Sequence, residues 1–243
     1  PTLRRQRQMC IRDRFIVKNY SGDIMNFQMA SEMMTGVSET VLINDDVAVE
    51  DSSYTTGRRG VAATVIVEKI VGSLAETGGS LKECKILGDK VNRNSGSMGV
   101  AFSSCTVPAA GKPTFKLGPD EMEFGVGIHG EPGRRRDKVQ PAQEITNELL
   151  GAIIEDLKLE NNGEILLFVN GMGGTPLTEL YLLYDNAKKT LDDKNIKIAR
   201  SLVGNYCTSL EMQGASLTIT KLDQELKKHW DSPVHTAAMR WGL

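Results

Sequence analysis

The residue with the clearest chemical potential is His129, set in Met122-Glu123-Phe124-Gly125-Val126-Gly127-Ile128-His129-Gly130-Glu131-Pro132-Gly133. Apolar side chains alternate there with glycines, and period-two alternation predicts a short strand. Glycine inside a strand marks close approach of a ligand or another backbone, and Pro132-Gly133 ends the run. The pattern places one imidazole at a strand end with little bulk beside it. Such a ring can add to a reactive carbonyl or act as a general acid or base; as a core histidine it would only need hydrogen-bond partners. Asp23 is a second candidate, because Ser21-Gly22-Asp23 precedes a helix predicted over Ile24 to Met34, with Ile24, Phe27 and Met34 at helical spacing. A carboxylate there is ordinarily an N-cap, yet the turns at the carboxyl ends of strands are also where α/β folds hold ligands. Lys18 lies near the same edge.

Three further groups are less specific. Asp45-Asp46 suits a Mg²⁺ ion through phosphate oxygens or a solvated turn. Arg58 and Arg59 suit a phosphate or the acids just before them. Asn170-Gly171-Met172-Gly173-Gly174-Thr175-Pro176 joins a strand to a helix and can cradle an anion. It is neither a P-loop nor a dinucleotide fingerprint, and tight packing accounts for it equally well.

The elements that must position these groups follow from periodicity. Strands are predicted at Phe15–Tyr20, Thr40–Ile43, Met98–Phe102, Ile165–Val169, Ile196–Val203 and Ser216–Lys221. Helices are predicted at Val61–Leu74, Ser80–Val91, Ala142–Leu157, Leu177–Lys189 and Asp223–Trp230. Arg134 to Lys138 reads as a solvated basic loop, Asn92 to Ser97 as a polar boundary, and the tail carrying His235 as docked. The fold expected is α/β: two α/β domains with mixed sheets flanked by helices, residues 15–94 and 95–243. Two strands are few for a sheet flanked by helices, so the first domain is expected to be incomplete at its N-terminus. Residues 1–14 carry five arginines and one acid and are expected to be a non-native leader.

Composition excludes several classes. The chain has 243 residues, 40% apolar, with a net charge of −2, so no basic field points to nucleic acid. Aromatic residues make up 5%, too few for base-stacking platforms. No apolar run approaches the roughly 20 residues of a membrane span. The four cysteines lack metal spacing and read as free thiols in a reducing compartment, the cytoplasm. No metal site is expected from three scattered histidines.

Several segments together resemble one family: Lys18 to Asp23, Asp45 to Val49, Gly57 to Val61, Thr106 to Ala109, Met122 to Gly133, Asn170 to Pro176, Tyr206 to Leu210 and Trp230 to His235. The chain from about Phe15 onward resembles the dihydroxyacetone-binding K subunits of dihydroxyacetone kinases. The resemblance implies that His129 holds dihydroxyacetone covalently as a hemiaminal, that Asp23 takes the proton from the hydroxyl receiving the phosphoryl group, and that Lys18 helps hold the substrate. It implies no cofactor on this chain. ADP or ATP and Mg²⁺ would sit on a nucleotide-binding L subunit, served in bacteria by the phosphoenolpyruvate phosphotransferase system, and the K subunit would be a homodimer. The ending soon after Trp241 suits the two-subunit type. One departure is the absence of the family's Gly-Gly-Gly-Ser-Gly-His-Glu-Pro segment, whose histidine assists catalysis, so turnover by this chain alone is left open. Relatives that bind the ketone as transcriptional co-activators are the competing expectation, and an inactive fragment is a third. Retention of Lys18 and Asp23 favours the kinase.

Overall fold

A computed structural model describes residues 12–48, 57–131 and 133–242. The leader predicted at 1–14 therefore lies mostly outside the described residues. Its last three residues are part of strand β1 (Arg12–Lys18), which begins earlier than the expected Phe15. β1 pairs in parallel with β2 (Val37–Ile43), Lys18 opposite Ile43. Between them runs helix α1 (Ser21–Glu32), which buries no residue. Its apolar residues do not make the single buried stripe expected of Ile24, Phe27 and Met34. Met25, Met29 and Met33 are exposed, and Phe27 meets Phe15 edge-on at 5.6 Å. Apolar residues on every face cannot all turn toward one strand pair.

Helices α2 (Ala63–Glu76) and α3 (Leu81–Arg93) pack on the strand pair. α2 is dense in apolar residues and buries Ala63, Ile66, Val67, Ile70 and Val71. α3 starts in a capping box: the Glu83 amide donates to Ser80 Oγ at 3.2 Å, and the Ser80 amide donates to Glu83 Oε2 at 2.7 Å. This reciprocal pairing satisfies two otherwise orphaned donors.

The larger sheet has six strands: β3 (Ser95–Ala101), β6 (Glu121–Phe124), β7 (Arg135–Lys138), β8 (Glu164–Gly171), β9 (Lys197–Gly204) and β10 (Gly214–Lys221). Their order is β7-β6-β3-β10-β8-β9. Every pair is antiparallel except β8 and β9. That parallel pair is joined by a crossover helix, as parallel strands require. Small two-stranded ribbons, β4 (Thr106–Val107) with β5 (Lys112–Pro113) and β11 (Val234–His235) with β12 (Arg240–Trp241), complete the strands.

Two expectations are corrected here. The strand expected from Met98 begins at Ser95, so Ser95 to Ser97 are the start of β3, the most buried strand. Its hydroxyls are satisfied across the ladder, Ser95 Oγ to Thr220 Oγ1 and Ser97 Oγ to Thr218 Oγ1, each at 2.7 Å. Paired hydroxyls make a polar sequence compatible with a core strand. Arg135 to Lys138 is likewise an edge strand rather than a loop. Its charge blunts the exposed edge.

Helices α4 (Ala142–Leu157) and α5 (Leu177–Asp193) cover one face of the six-stranded sheet around Leu149, Leu150, Ile153, Leu167 and Leu217. A second core combines Val41, Ile43, Ile66, Ile70 and Leu87 with Leu166, Phe168 and Leu202 of the sheet and Trp230 of α6 (Gln224–Asp231). Residues on both sides of position 94 thus share this core. The polypeptide is also tied there directly: the Val47 amide donates to Ser97 O at 2.9 Å and the Ser97 amide to Asp45 O at 2.7 Å. The tail is docked as expected, Trp241 lying edge-on to Trp230 at 5.9 Å.

Candidate functional site

The predicted strand around His129 is shorter than its sequence pattern. β6 stops at Phe124, because Gly125 takes φ +76°, a conformation that L side chains rarely adopt. Residues 125–131, 133 and 134 then lie in the loop of a hairpin, closed where the Arg134 amide donates to Phe124 O at 2.7 Å. His129 therefore lies on a loop, not at a strand end. The alternation instead anchors that loop. Val126 is buried with Cys105, Met172 and Met212, and Ile128 packs against the second core. The His129 side chain is left 52% exposed.

Its partners are specific. The imidazole lies over the Tyr20 ring, centroids 4.3 Å apart and planes at 57°. Nδ1 is 3.3 Å from Glu131 Oε1, at the long end of hydrogen-bond reach, and the His129 amide donates to Glu131 Oε2 at 3.2 Å. Glu131 and Tyr20 are both buried. A Cβ on Gly127 would stand 2.0 Å from Glu131 Oε2 and 2.8 Å from the Arg59 guanidinium, so only glycine leaves room for this carboxylate. Burial works to raise Glu131, but the hydrogen bonding from His129 and the nearby Arg59 charge outweigh it and hold the carboxyl below its ordinary value.

Arg59 is wholly buried beneath the loop. Its Nε donates to Asp46 Oδ2 at 2.8 Å and a terminal nitrogen donates to Gly125 O at 2.6 Å. It thus ties the loop exit of β6 to the segment after β2. Burial lifts the Asp46 carboxyl to about 6, with the Arg59 charge opposing. Asp45 accepts from the amides of Val61 at 2.7 Å and Ala63 at 2.8 Å, and from the Ser97 hydroxyl. Burial pushes its carboxyl up as well. The two aspartates therefore form neither a solvated turn nor a metal site: their oxygens are already used inside the protein. Arg58 pairs with Asp156 through a 2.9 Å hydrogen bond, and Arg59 pairs with an acid before it in the chain, Asp46. Among the described residues no three His, Cys, Asp or Glu side chains converge as metal ligands.

Lys18 ends β1 and Asp23 lies in the first turn of α1, both half-buried. Tyr20, not Asp23, occupies the N-cap, with no side-chain cap. The Asp23 side chain makes no hydrogen bond or ion pair among the described residues, so the expected capping role is not realised. Tyr20 sits between these two residues in sequence and touches His129 in space. It thereby joins the loop to the carboxyl end of the parallel pair, where α/β folds place ligands. The Tyr20 hydroxyl is buried without a partner, and burial, reinforced by Glu131, drives its pKa up. Tyr20 and Glu131 were given no role from sequence, and Asp46 and Arg59 were read as metal, phosphate, turn or ion-pair residues rather than as supports of His129. The His-x-Glu spacing at 129 and 131 was the one available signal.

The glycine-rich turn after β8 resolves to packing. A Cβ on Gly173, at φ +119°, would fall 1.8 Å from Leu210 O, and one on Gly174 would fall 2.4 Å from Glu211 O. Asn170 fastens the neighbouring segment by donating to Cys207 O at 2.7 Å and accepting from its amide at 2.8 Å. Burial lifts the Cys207 thiol to about 11, which makes it a poor nucleophile.

The protein is a mixed α/β fold with an exposed imidazole set over the carboxyl end of a parallel strand pair, the place where α/β folds hold ligands. The chain belongs to the Dak1 domain family, whose profile matches residues 14–238. It is 44% identical to the dihydroxyacetone-binding subunit of the PEP-dependent dihydroxyacetone kinase of Escherichia coli, over 93% of this chain and 71% of that protein. It is 49% identical to the corresponding subunit of a PTS-dependent kinase of Listeria innocua, over 86% of this chain and 65% of that one. The chain thus spans about two thirds of the length of these relatives. Among solved structures, a dihydroxyacetone kinase operon co-activator superposes with TM-score 0.86 at 30% identity, covering 96% of this chain and 73% of its own. The dihydroxyacetone kinase of C. freundii gives 0.80 at 29% identity, covering 94% and 42%.

Proposed function

We propose that this chain serves as the dihydroxyacetone-binding subunit of a dihydroxyacetone kinase. His129 adds to the keto carbon and holds the substrate as a hemiaminal, Lys18 helps hold it, and Asp23 accepts the proton of the hydroxyl that receives phosphate. The observation that carries this reading is the docking of the His129 ring on Tyr20, which brings a half-exposed imidazole to the turn bearing Lys18 and Asp23. Covalent capture selects ketones and aldehydes over glycerol, which has no carbonyl carbon to attack. Phosphoryl transfer then needs in-line positioning and charge neutralisation. The reading assigns both to ADP or ATP with Mg²⁺ on a nucleotide-binding partner subunit, acting on a homodimer of this chain in the cytoplasm. Buried free thiols at Cys84, Cys105 and Cys207 suit that reducing compartment. Among the described residues no helix is long and apolar enough to cross a membrane.

The likeness to an operon co-activator supports a second reading, in which the same ketone capture signals to a transcription regulator without phosphorylation. Intact-protein mass spectrometry with dihydroxyacetone, after mild reduction, tests the shared step. A mass gain equal to the whole ketone, lost in His129→Ala, is expected, and an undiminished gain in that variant overturns the role of His129. Asp23→Asn should retain capture and lose phosphoryl transfer in the presence of a nucleotide-bearing partner. Unchanged transfer would remove Asp23 as base, and absence of transfer in the unsubstituted chain would favour the co-activator reading.

A further inference from the structure

We infer that Glu131 is a positioning residue for His129, fixing the ring as its Nδ1–H tautomer so that Nε2 carries the free lone pair. The inference rests on the reading that His129 captures a ketone, and it adds what holds the ring ready. A single buried carboxylate addresses two donors of the same residue: Oε2 takes the His129 amide at 3.2 Å and Oε1 faces Nδ1 at 3.3 Å. An ionised carboxylate is acceptor-only, so a neutral ring beside it gains by placing its one proton on Nδ1. The tautomer is thus a consequence of the neighbouring charge.

The charge itself is held in place from each side that packs on it. Arg59, from the segment before α2, lies near enough to lower the Glu131 carboxyl. The missing side chain at Gly127 admits both groups. Tyr20, from the β1–α1 turn, supplies the surface on which the imidazole lies. Arg59 is fixed in turn by Asp46 and by the carbonyl of Gly125. Asp46, Arg59 and Glu131 alternate in charge and lead to the exposed His129 ring.

The chemistry balances with these groups and solvent protons. The Nε2 lone pair forms the bond to the carbonyl carbon, and the carbonyl π pair moves to oxygen. The ring is then an imidazolium whose Nδ1 proton faces the Glu131 carboxylate, which stabilises the positive charge as it forms. Glu131 takes that proton and returns it to solvent, and solvent delivers one to the alkoxide, which leaves a neutral hemiaminal and an ionised Glu131. Nothing is lost from ketone or protein, so the adduct carries the full mass of both.

Glu131→Gln makes the inference sharp, because it keeps size and shape. One amide oxygen must still accept from the His129 backbone N–H, since an orphaned buried donor is costly. The amide NH₂ then faces Nδ1 as a donor. The ring is driven to the opposite tautomer, its proton on Nε2 and the attacking lone pair removed. Glu131→Asp keeps an acceptor-only charge and should restore the original tautomer. ¹⁵N-histidine spectra at alkaline pH, assigned with His129→Ala, report the tautomer without any ketone. The expected result is a pyridine-type Nε2 in the parent and in Glu131→Asp, and a pyrrole-type Nε2 in Glu131→Gln. Capture of dihydroxyacetone should be weaker by roughly 10–100-fold in Glu131→Gln, as for loss of other groups that orient a reactive ligand, with equal thermal stability of the two variants. An unchanged tautomer in Glu131→Gln overturns the inference whatever the capture result. Retained capture in His129→Ala would instead sink the ketone reading while the tautomer comparison still decides the role of Glu131.

Discussion

The loop after β6 and the turn after β8 are both glycine-rich exits from the same sheet, and they use glycine for different ends. At Gly173 and Gly174 the space a side chain would fill is occupied by backbone carbonyls of Leu210 and Glu211. At Gly127 it is occupied by the Glu131 carboxylate and the Arg59 guanidinium. The first is close packing of main chain on main chain, and beneath it lie Asn170, whose hydrogen bonds are spent on its neighbours, and an inert thiol. The second makes room for charge. Glycine content alone therefore does not mark a site; what marks it is the ionised groups that the absent side chains admit.

The strongest way to break this comparison is to remove the charge beneath the His129 loop. Arg59→Met fills similar volume but leaves Asp46 buried without its cation and Gly125 O without a donor. Losing one partner of a buried pair costs about 3–5 kcal/mol, measurable by denaturant unfolding. Capture of dihydroxyacetone should fall with it, because the loop loses its tie. A loss under about 1 kcal/mol, the range of surface pairs, would show that the cluster is not what holds the loop.

The two acids of the cluster also titrate in opposite directions, which the turn after β8 has no means to imitate. Asp46 is raised by burial from 3.8 to about 6. Between those values the folded state binds more protons than the unfolded chain, so the contribution of Asp46 to stability is fully present below 3.8 and is lost as pH rises through about 6. Glu131 is lowered from 4.5, so its contribution is present above 4.5 and is lost as pH falls through its depressed folded value. Unfolding free energies across the acid range should show both limbs. Asp46→Asn should flatten the limb between about 4 and 6, a change on the order of 1–3 kcal/mol, and leave the lower limb intact. An identical profile in Asp46→Asn would show that the buried pair does not titrate in this window.

Much of this architecture was legible from residues alone. The strand–helix–strand–helix–helix order before residue 94 and the β8, α5, β9, β10 and α6 succession follow from periodicity and caps, as the Ser80 to Glu83 box illustrates. The family was legible from the motifs around Lys18, His129 and Trp230. What periodicity could not show was that Val126 and Ile128 anchor a loop to two different cores, since alternation along a strand and alternate anchoring of a loop give the same pattern. Nor could it show Ser95 to Ser97 as core, because their hydroxyls are satisfied by Thr218 and Thr220, far away in the chain. The Asp46, Arg59 and Glu131 cluster was hidden for the same reason. Its members lie on three separate segments, and none of them alone points to the other two.

Paired alanine substitutions separate the two uses of glycine most directly. Gly173→Ala puts a Cβ against a backbone carbonyl at φ +119°, where neither side can give way cheaply. Backbone strain of this kind costs about 1–3 kcal/mol, and the His129 loop is not part of the clash, so ketone capture by the folded fraction should be unchanged. Gly127→Ala meets side-chain atoms instead. The Glu131 carboxylate at the end of its flexible chain can swing aside, so stability should fall by no more than about 1 kcal/mol. That movement takes the carboxylate away from Nδ1 of His129, and capture should fall as it does in Glu131→Gln. Stability lost at 173 with capture kept, and capture lost at 127 with stability kept, is the expected crossing. Two substitutions that lowered both quantities together would mean that the loop and the turn are one packing unit, and that the charge beneath His129 has no function separate from the fold.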